Sequence, residues 1–186
     1  MINISKIHEQ SNCVYNFNEI QQSIYKVSNQ INHLLIDQEL IVLCVVKGGI
    51  VLTGQILPLL KMPIILDYVH LSRYGEKVVG SHNFKSIFFP SISLEGKNIL
   101  LIDDILDEGL TLKAIYDQCF KRGAKNISSL VLVDKPKNRH VNGVQSANFS
   151  ALTYEGDDFL YGYGMDIQLY LRNVNGIFEI APNLIS

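Results

Sequence analysis

At 186 residues, 47% of them apolar, the chain is long enough for one domain with a substantial core and too apolar for disorder. Its 16 basic and 18 acidic residues leave a formal net charge of −2. With no dense Lys/Arg tract and no apolar run near the ~18 residues of a membrane span, nucleic-acid and membrane-spanning classes are not expected.

In chain order, Met1 to Lys6 is not a basic region followed by a long apolar core, so no secretory signal is expected. Ile20, Ile24, Val27, Ile31, Leu34 and Leu35 recur at three- and four-residue spacing behind the polar residues Asn16 and Asn18, which predicts an amphipathic helix. Residues 40–46 form a continuous β-branched run, the mark of a strand covered on both faces. Lys47-Gly48-Gly49 breaks it, and residues 50–60 read as a helix that Pro58 should kink or end early. Residues 63–69 are the next strand candidate, 72–83 are polar and Gly-bearing, and 84–89 return as a strand. Residues 98–102 predict a strand and 111–122 an amphipathic helix closed by Gly123, followed by a buried strand over 130–133. Cys13, Cys44 and Cys119 are odd in number and scattered, so they read as reduced thiols of a cytoplasmic protein, the last two filling core space. The five histidines show neither metal-ligand spacing nor a nucleophile partner, and Asn138-Arg139-His140 reads as a solvated polar loop.

Strands alternating with helices argue a mostly parallel sheet flanked by helices, with ligands beyond the carboxyl ends of its strands. Lys47-Gly48-Gly49, Asp103-Asp104 and Asp134-Lys135 each follow an apolar strand, so three chemically distinct groups converge on one edge. The richest stretch is residues 98–111, where a strand ends in two carboxylates and Asp107-Glu108-Gly109-Leu110-Thr111 opens a helix. The first N–H groups of a helix lack partners and carry partial positive charge, which suits a phosphate. Carboxylates beside that phosphate make sense if they hold sugar hydroxyls or a hard cation, which suggests a phosphorylated sugar with Mg²⁺.

This stretch resembles the 5-phosphoribosyl-1-pyrophosphate (PRPP) binding motif of the type I phosphoribosyltransferases: an apolar strand, two acidic residues, two apolar residues, then Asp-x-Gly-x-Thr. The resemblance implies a single α/β domain over residues 1–186, with the mostly parallel sheet of that fold and a small hood contributed by the N- and C-terminal segments. Asp103 and Asp104 would hold the ribose 2′- and 3′-hydroxyls, directly or through Mg²⁺. Asp107, Glu108, Gly109, Leu110 and Thr111 would wrap the 5′-phosphate, with Glu108 and Leu110 at variable positions that carry no side-chain role. Asp107 matches the proposed general base at purine N7.

Other positions extend the resemblance. In the purine enzymes the Lys-Gly loop after the first central strand contacts pyrophosphate and often has a cis peptide before the Lys. This implies pyrophosphate binding by Lys47 and Gly48 and marks Val46–Lys47 as the bond to inspect. A mobile loop of the family carries Ser-Tyr where this chain has Arg73-Tyr74, so Tyr74 is the better-supported closing residue. Lys135 would donate to a purine O6, as donor-only ammonium favours a carbonyl over an exocyclic amine. The run from Asp158 to Arg172 is similar to the family's Phe-Val-Val-Gly-Tyr-x-x-Asp segment with an Arg six residues beyond. Phe159 would stack on the purine, the Leu160 backbone would contact its edge, Asp166 would lie near a second Mg²⁺, and Arg172 would bind pyrophosphate.

Together these positions resemble the bacterial hypoxanthine/guanine phosphoribosyltransferases of purine salvage. The reaction implied joins PRPP and a 6-oxopurine into IMP or GMP with release of pyrophosphate, in a cytoplasmic homodimer or homotetramer that uses Mg²⁺. Two other readings stay open. One is a sister enzyme taking xanthine or a pyrimidine. The other is a regulator on the same fold that binds the RNA of pyrimidine operons, which would need a basic face that composition does not show.

Overall fold

The computed structural model describes residues 4–73 and 84–180. Its main body is a six-stranded sheet whose inner strand is β5 (Asn98–Leu106), flanked by β2 (Leu40–Val45) and β6 (Asn126–Asp134). β3 (Ile64–Arg73) lies outside β2 and β7 (Phe149–Thr153) outside β6, all five parallel. At the far edge β4 (Phe84–Phe88) folds back antiparallel on β3. The chain therefore winds one way from β2 to β3 and the other way from β5 through β7. The crevice between β2 and β5 is the point where such sheets open a ligand site.

Period-two alternation decides what lies on each face. Leu40, Val42, Leu100, Ile102, Leu130 and Leu132 point into one core, shared with helix α2 (Phe17–Leu35) and helix α3 (Ile50–Ile56). Ile41, Leu43, Val45, Ile99, Leu101 and Val131 point into the other, covered by helix α4 (Leu110–Lys121). With helices on both faces, neither side of the central strands can be polar, hence the unbroken apolar runs. Cys44 and Cys119 are buried as packing residues; burial pushes the Cys119 thiol up to about 12.

One boundary differs from the sequence expectation, and two local features follow it. β5 continues to Leu106, so Asp103 and Asp104 belong to the strand rather than to the turn after it. Their backbones stay in the ladder with β6, where Asp103 pairs with Val131 and Ile105 with Val133. α3 stops at Ile56 and passes into a 3-10 turn, Leu57–Leu59, around Pro58, as proline's missing N–H requires. Asn16 is the α2 N-cap: its side chain accepts from the Glu19 amide while Glu19 reaches back to the Asn16 amide.

A second, three-stranded antiparallel sheet joins the two ends of the described chain. β1 (Asn12–Asn16) and β8 (Phe159–Tyr161) flank β9 (Gly176–Ile180), forming the hood, with short helix α1 (Ile4–Glu9) packed beneath. Tyr161 is fully buried there, its hydroxyl 2.8 Å from His8 Nδ1 and its ring stacked on Phe178. β1 and β9 were not legible as strands, because neither carries a strand-length apolar run. Among the described residues no helix is long and apolar enough to cross a membrane.

Asn16→Ala removes the cap acceptor without touching the sheet. The expected cost is about 1 kcal/mol, a fall in Tm of about 2–4 °C for a chain of this size. A melt unchanged within error would show the capping box to be dispensable.

Candidate active site

The exits of β2 and β5 and the hood loop enclose a cavity of about 320 Å³. Its floor is Asp103, Asp104 and the turn Asp107–Gly109; Val46 and Gly48 form one wall, and Asp166 with Arg172 descend from the hood. The three groups expected to share one edge therefore do so. Val46–Lys47 is a cis peptide, and Gly48 faces the cavity beside it. The Lys47 side chain is exposed and stands beside the cavity rather than in its wall.

Asp103 is only 8% exposed. Burial, then the neighbouring Asp104 carboxylate, raises its pKa well above the usual carboxylate range, and burial raises Asp104 as well. The Arg172 guanidinium opposes the rise at Asp104. Each carboxylate accepts the next residue's amide, Asp103 from Asp104 at 2.9 Å and Asp104 from Ile105 at 2.8 Å. Desolvated anions of this kind are poised for a cation or for hydroxyl donors. The Asp104 carboxylate lies so close to Gly48 that any Cβ there would overlap it, and a Cβ at Gly164 would overlap the Gly48 carbonyl. Glycine on both chains lets hood and core backbones meet directly beside the acidic pair.

The turn expected to hold a phosphate leaves the same strand exit. Gly109, the α4 N-cap, has φ 79° and no side-chain cap, so the first N–H groups of the helix are left for a ligand. Any side chain at Gly109 would strike the Val144 backbone. Residues 140–144 brace the loop from behind: His140 N donates to the Glu108 carbonyl at 3.1 Å and Val144 N to the Gly109 carbonyl at 3.1 Å. Thr111 lines the cavity, whereas Leu110 is turned away and buried.

A smaller compartment of about 160 Å³ opens from the first between Asp107, Lys135, Phe159, Leu160 and Asp166. Lys135 is 4% exposed, its ammonium donating to the Asp158 carbonyl at 2.9 Å and standing 3.9 Å from Asp107 Oδ1. Asp107 Oδ1 is buried and has no hydrogen-bond partner. A donor-only group and an unsatisfied acceptor thus face one gap, too wide for a direct bond. Phe159 presents a 48% exposed side chain to the same space.

Two supports of this compartment escaped the sequence reading. The Tyr154 ring lies 5.8 Å from the Lys135 ammonium, and its hydroxyl donates to Glu179 at 2.5 Å with Asp158 at 3.0 Å. Burial and these two carboxylates push the Tyr154 hydroxyl far above its ordinary value, so it stays a donor. Arg139, expected in solvent, has a side chain only 8% exposed and is bound to the strand exits. Neither residue sits in a recognisable motif, and only a Lys135-x-x-x-Arg139 spacing could have hinted at the second.

The hood loop holds its functional groups in an uncommon backbone. Tyr163, Gln168, Leu169 and Leu171 all have positive φ, between 48° and 74°, a region that costs of order 1–3 kcal/mol per non-Gly residue and clusters at functional sites. Within it Arg172 pairs with Asp166 and donates to the Gly164 carbonyl at 2.6 Å, while Asp166 also accepts the Leu169 amide at 2.7 Å. Asp166 thus engages Arg172 instead of joining Asp103 and Asp104: no cluster of three or more metal-ligating side chains forms among the described residues. Arg73 ends β3, and Tyr74 lies outside the described residues.

The acidic pair binds more protons in the folded chain than in the unfolded one, because its folded pKa values are raised. Its contribution to stability is therefore most favourable below the ordinary carboxylate value and declines as pH rises through the raised values. Asp103→Asn removes one buried charge yet keeps an acceptor for the Asp104 amide. In ligand-free protein it is expected to raise the neutral-pH Tm by about 2–4 °C and to flatten the decline from acid to neutral pH. A lower Tm at neutral pH would sink the claim that this pair is a stability cost.

Residues 12–145 match the phosphoribosyl transferase domain. The chain is 30% identical over 164 residues to the hypoxanthine-guanine phosphoribosyltransferase of Bacillus subtilis, covering 88% of this chain and 89% of that one. It is 31% identical over 170 residues to the enzyme of the same name from Mycoplasma genitalium, covering 89% and 94%. A crystal structure of a hypoxanthine-guanine phosphoribosyltransferase from Bacillus anthracis superposes with a TM-score of 0.81 at 26% identity, over 91% of this chain and 98% of that one. A hypoxanthine phosphoribosyltransferase from Staphylococcus aureus shares the fold with a TM-score of 0.89 at 23% identity, over 98% of both. With its domain matched over most of the chain and a relative 31% identical along nearly its whole length, this chain belongs to the phosphoribosyltransferase family.

Proposed function

We propose that this phosphoribosyltransferase acts in purine salvage, transferring the 5-phosphoribosyl group of PRPP to N9 of hypoxanthine or guanine to give IMP or GMP and pyrophosphate. The observation that carries the choice of base is the gap between Lys135 Nζ and Asp107 Oδ1, 3.9 Å wide and walled by Phe159. A 6-oxopurine offers a carbonyl oxygen, O6, beside a ring nitrogen, N7, along one edge. O6 accepts from the ammonium, and a protonated N7 donates to the unsatisfied carboxylate oxygen. An adenine would turn an amine toward the ammonium, donor against donor. The names of the relatives point the same way.

In this reading Phe159 stacks on the ring and the Leu160 main chain meets its edge. Backbone N–H groups of residues 107–111 and the Thr111 hydroxyl hold the 5′-phosphate, and Asp103 and Asp104 take the ribose hydroxyls. Arg172, Lys47 and the Gly48 amide face the pyrophosphate. N9 forms its bond to C1′ of the ribose as the C1′–oxygen bond breaks, its electron pair leaving with pyrophosphate. The purine proton passes to Asp107, and the cations opposite the leaving group offset its growing charge, an electrostatic contribution that is usually the largest.

The donor set fits Mg²⁺. Asp103 and Asp104 are hard, desolvated oxygen donors, and a site short of three protein ligands suits an ion that keeps waters and substrate oxygens. Asp103 and Asp104 would hold one ion and Asp166 would lie beside a second; such an ion supplies positive charge to the ribose hydroxyls and to pyrophosphate. We place the enzyme in the cytoplasm as a homodimer or homotetramer.

Nucleotide formation from PRPP with Mg²⁺ and hypoxanthine, guanine, xanthine, adenine or uracil, each offered alone, tests the reading. Turnover of hypoxanthine or guanine with adenine and uracil silent is expected. Turnover of xanthine alone, or of uracil, would replace the proposed substrates. Silence with all five, in protein that binds PRPP and an RNA, would replace catalysis with regulation.

Two variants probe the base contacts. Asp107→Asn should lower kcat by about 10²–10⁴-fold while PRPP affinity, read by calorimetry, changes only a few-fold. An unchanged kcat would remove the general-base role. Lys135→Met keeps length and loses the charge, and it should cut kcat/KM for 6-oxopurines by about 10–100-fold without matching losses for other bases. Equal losses for every base would remove the O6 assignment.

A further inference from the structure

Arg139 lines neither compartment, yet its guanidinium joins the two strand exits that carry Asp107 and Lys135. Nη1 donates to the Leu106 carbonyl at 2.6 Å, to the Lys135 carbonyl at 2.9 Å and to the Asp107 carbonyl. Nε donates to the Gln145 carbonyl at 3.0 Å, and Nη2 pairs with the Asp134 carboxylate. Four carbonyls and one carboxylate from β5, β6 and the following loop thus converge on one planar cation. The backbones of Asp107 and Lys135 are both among them.

A main-chain carbonyl fixed in this way sets the direction in which its own side chain leaves the backbone. Asp107 and Lys135 must hold a 3.9 Å gap between them from two different strands. The β5–β6 ladder runs to the Leu106–Asp134 pair, and beyond it the Lys135 amide donates to the Leu106 carbonyl at 3.0 Å. The phosphate loop is braced separately, through His140 N and Val144 N on the carbonyls of Glu108 and Gly109. The Arg139 side chain therefore bears on the base contacts far more than on the phosphate cradle. A lysine could not replace it: one ammonium at the end of a flexible stem cannot reach five acceptors spread around a plane.

We propose that Arg139 is a positioning residue that keeps Asp107 and Lys135 in register across the base compartment. The proposal rests on the reading that those two residues act on the purine.

The test is a kinetic cycle with hypoxanthine or guanine and PRPP, pairing Arg139→Lys with Asp107→Asn. Displacement of a reacting group by about 1 Å can cost 10²-fold, so Arg139→Lys should lower kcat by about 10–100-fold. PRPP affinity by calorimetry should stay within a few-fold. In the Asp107→Asn background the same substitution should cost less than about threefold, because residues that act as a unit are not additive. A merely structural arginine would give the same fold-loss in both backgrounds, or lose PRPP affinity in step with kcat, and either result overturns the proposal. Should Arg139→Lys fail to fold, Asp134→Asn runs the same cycle. It removes only the carboxylate anchor and should give a smaller loss that vanishes beside Asp107→Asn; equal losses there overturn the proposal. Unaltered protein that makes no purine nucleotide defeats the functional reading and this proposal together, whereas turnover with additive losses defeats this proposal alone.

Discussion

Asp103 and Asp104 sit at the carboxyl end of a strand that is covered on both faces, and neither can leave the ladder to find water. Their charge is therefore expensive, and burial raises the pKa of both. Much of the surrounding architecture follows from that cost. The wall opposite Asp104 is glycine, since any side chain would collide with the carboxylate. The cation that offsets Asp104, Arg172, comes from the hood and not from the sheet, and it is paired with Asp166 rather than locked to Asp104. A ligand that brings hydroxyl donors or a divalent ion relieves the burial and converts a stability cost into binding free energy.

The two compartments divide their work between rigid and adaptable parts of the fold. The loop proposed to cradle the phosphate lies between β5 and α4, with the 140–144 segment behind it, and backbone bonds fix it. The base compartment is assembled across a seam: Asp107 and Lys135 come from the sheet, Phe159 and Leu160 from the hood. Hood and sheet meet where Gly164 lies against Gly48, with no side chains to buffer the contact. A shift of one against the other would move Phe159 relative to Asp107 and Lys135, whereas the loop over residues 107–111 would stay fixed.

What the sequence could reveal divides along the same line. The apolar runs of β2, β5 and β6 were legible because a strand buried on both faces must be apolar throughout, and Asp-x-Gly-x-Thr was legible because a left-handed Gly109 leaves little choice there. The strand end at Leu106 was not, since two carboxylates look like a turn unless the ladder beyond them is seen. The hood strands were missed for a different reason: β1 and β9 pair across some 160 residues of sequence, and neither has a periodicity of its own. Arg139 was read as solvated because an arginine in a polar loop usually is. Its burial depends on carbonyls brought together by two separate strands, which no local pattern records.

That last case bears on how specificity is encoded here. In the proposed reading the side chains that would touch the base carry only part of the information; Lys135 and Asp107 would discriminate O6 from an amine only while their separation suits a purine edge. That separation is set by backbone carbonyls gathered on Arg139, by the Asp158 carbonyl on the Lys135 ammonium, and by Tyr154, which ties Asp158 to Glu179 on β9. Sheet and hood thus both hold the lysine, one at its backbone and the other at its ammonium. A substitution at Tyr154 or Glu179 would loosen the ammonium while leaving the carboxylate in place, and one at Arg139 would loosen both. Under the proposed function, base selectivity would consequently be a property of the frame around the lysine as much as of the lysine itself.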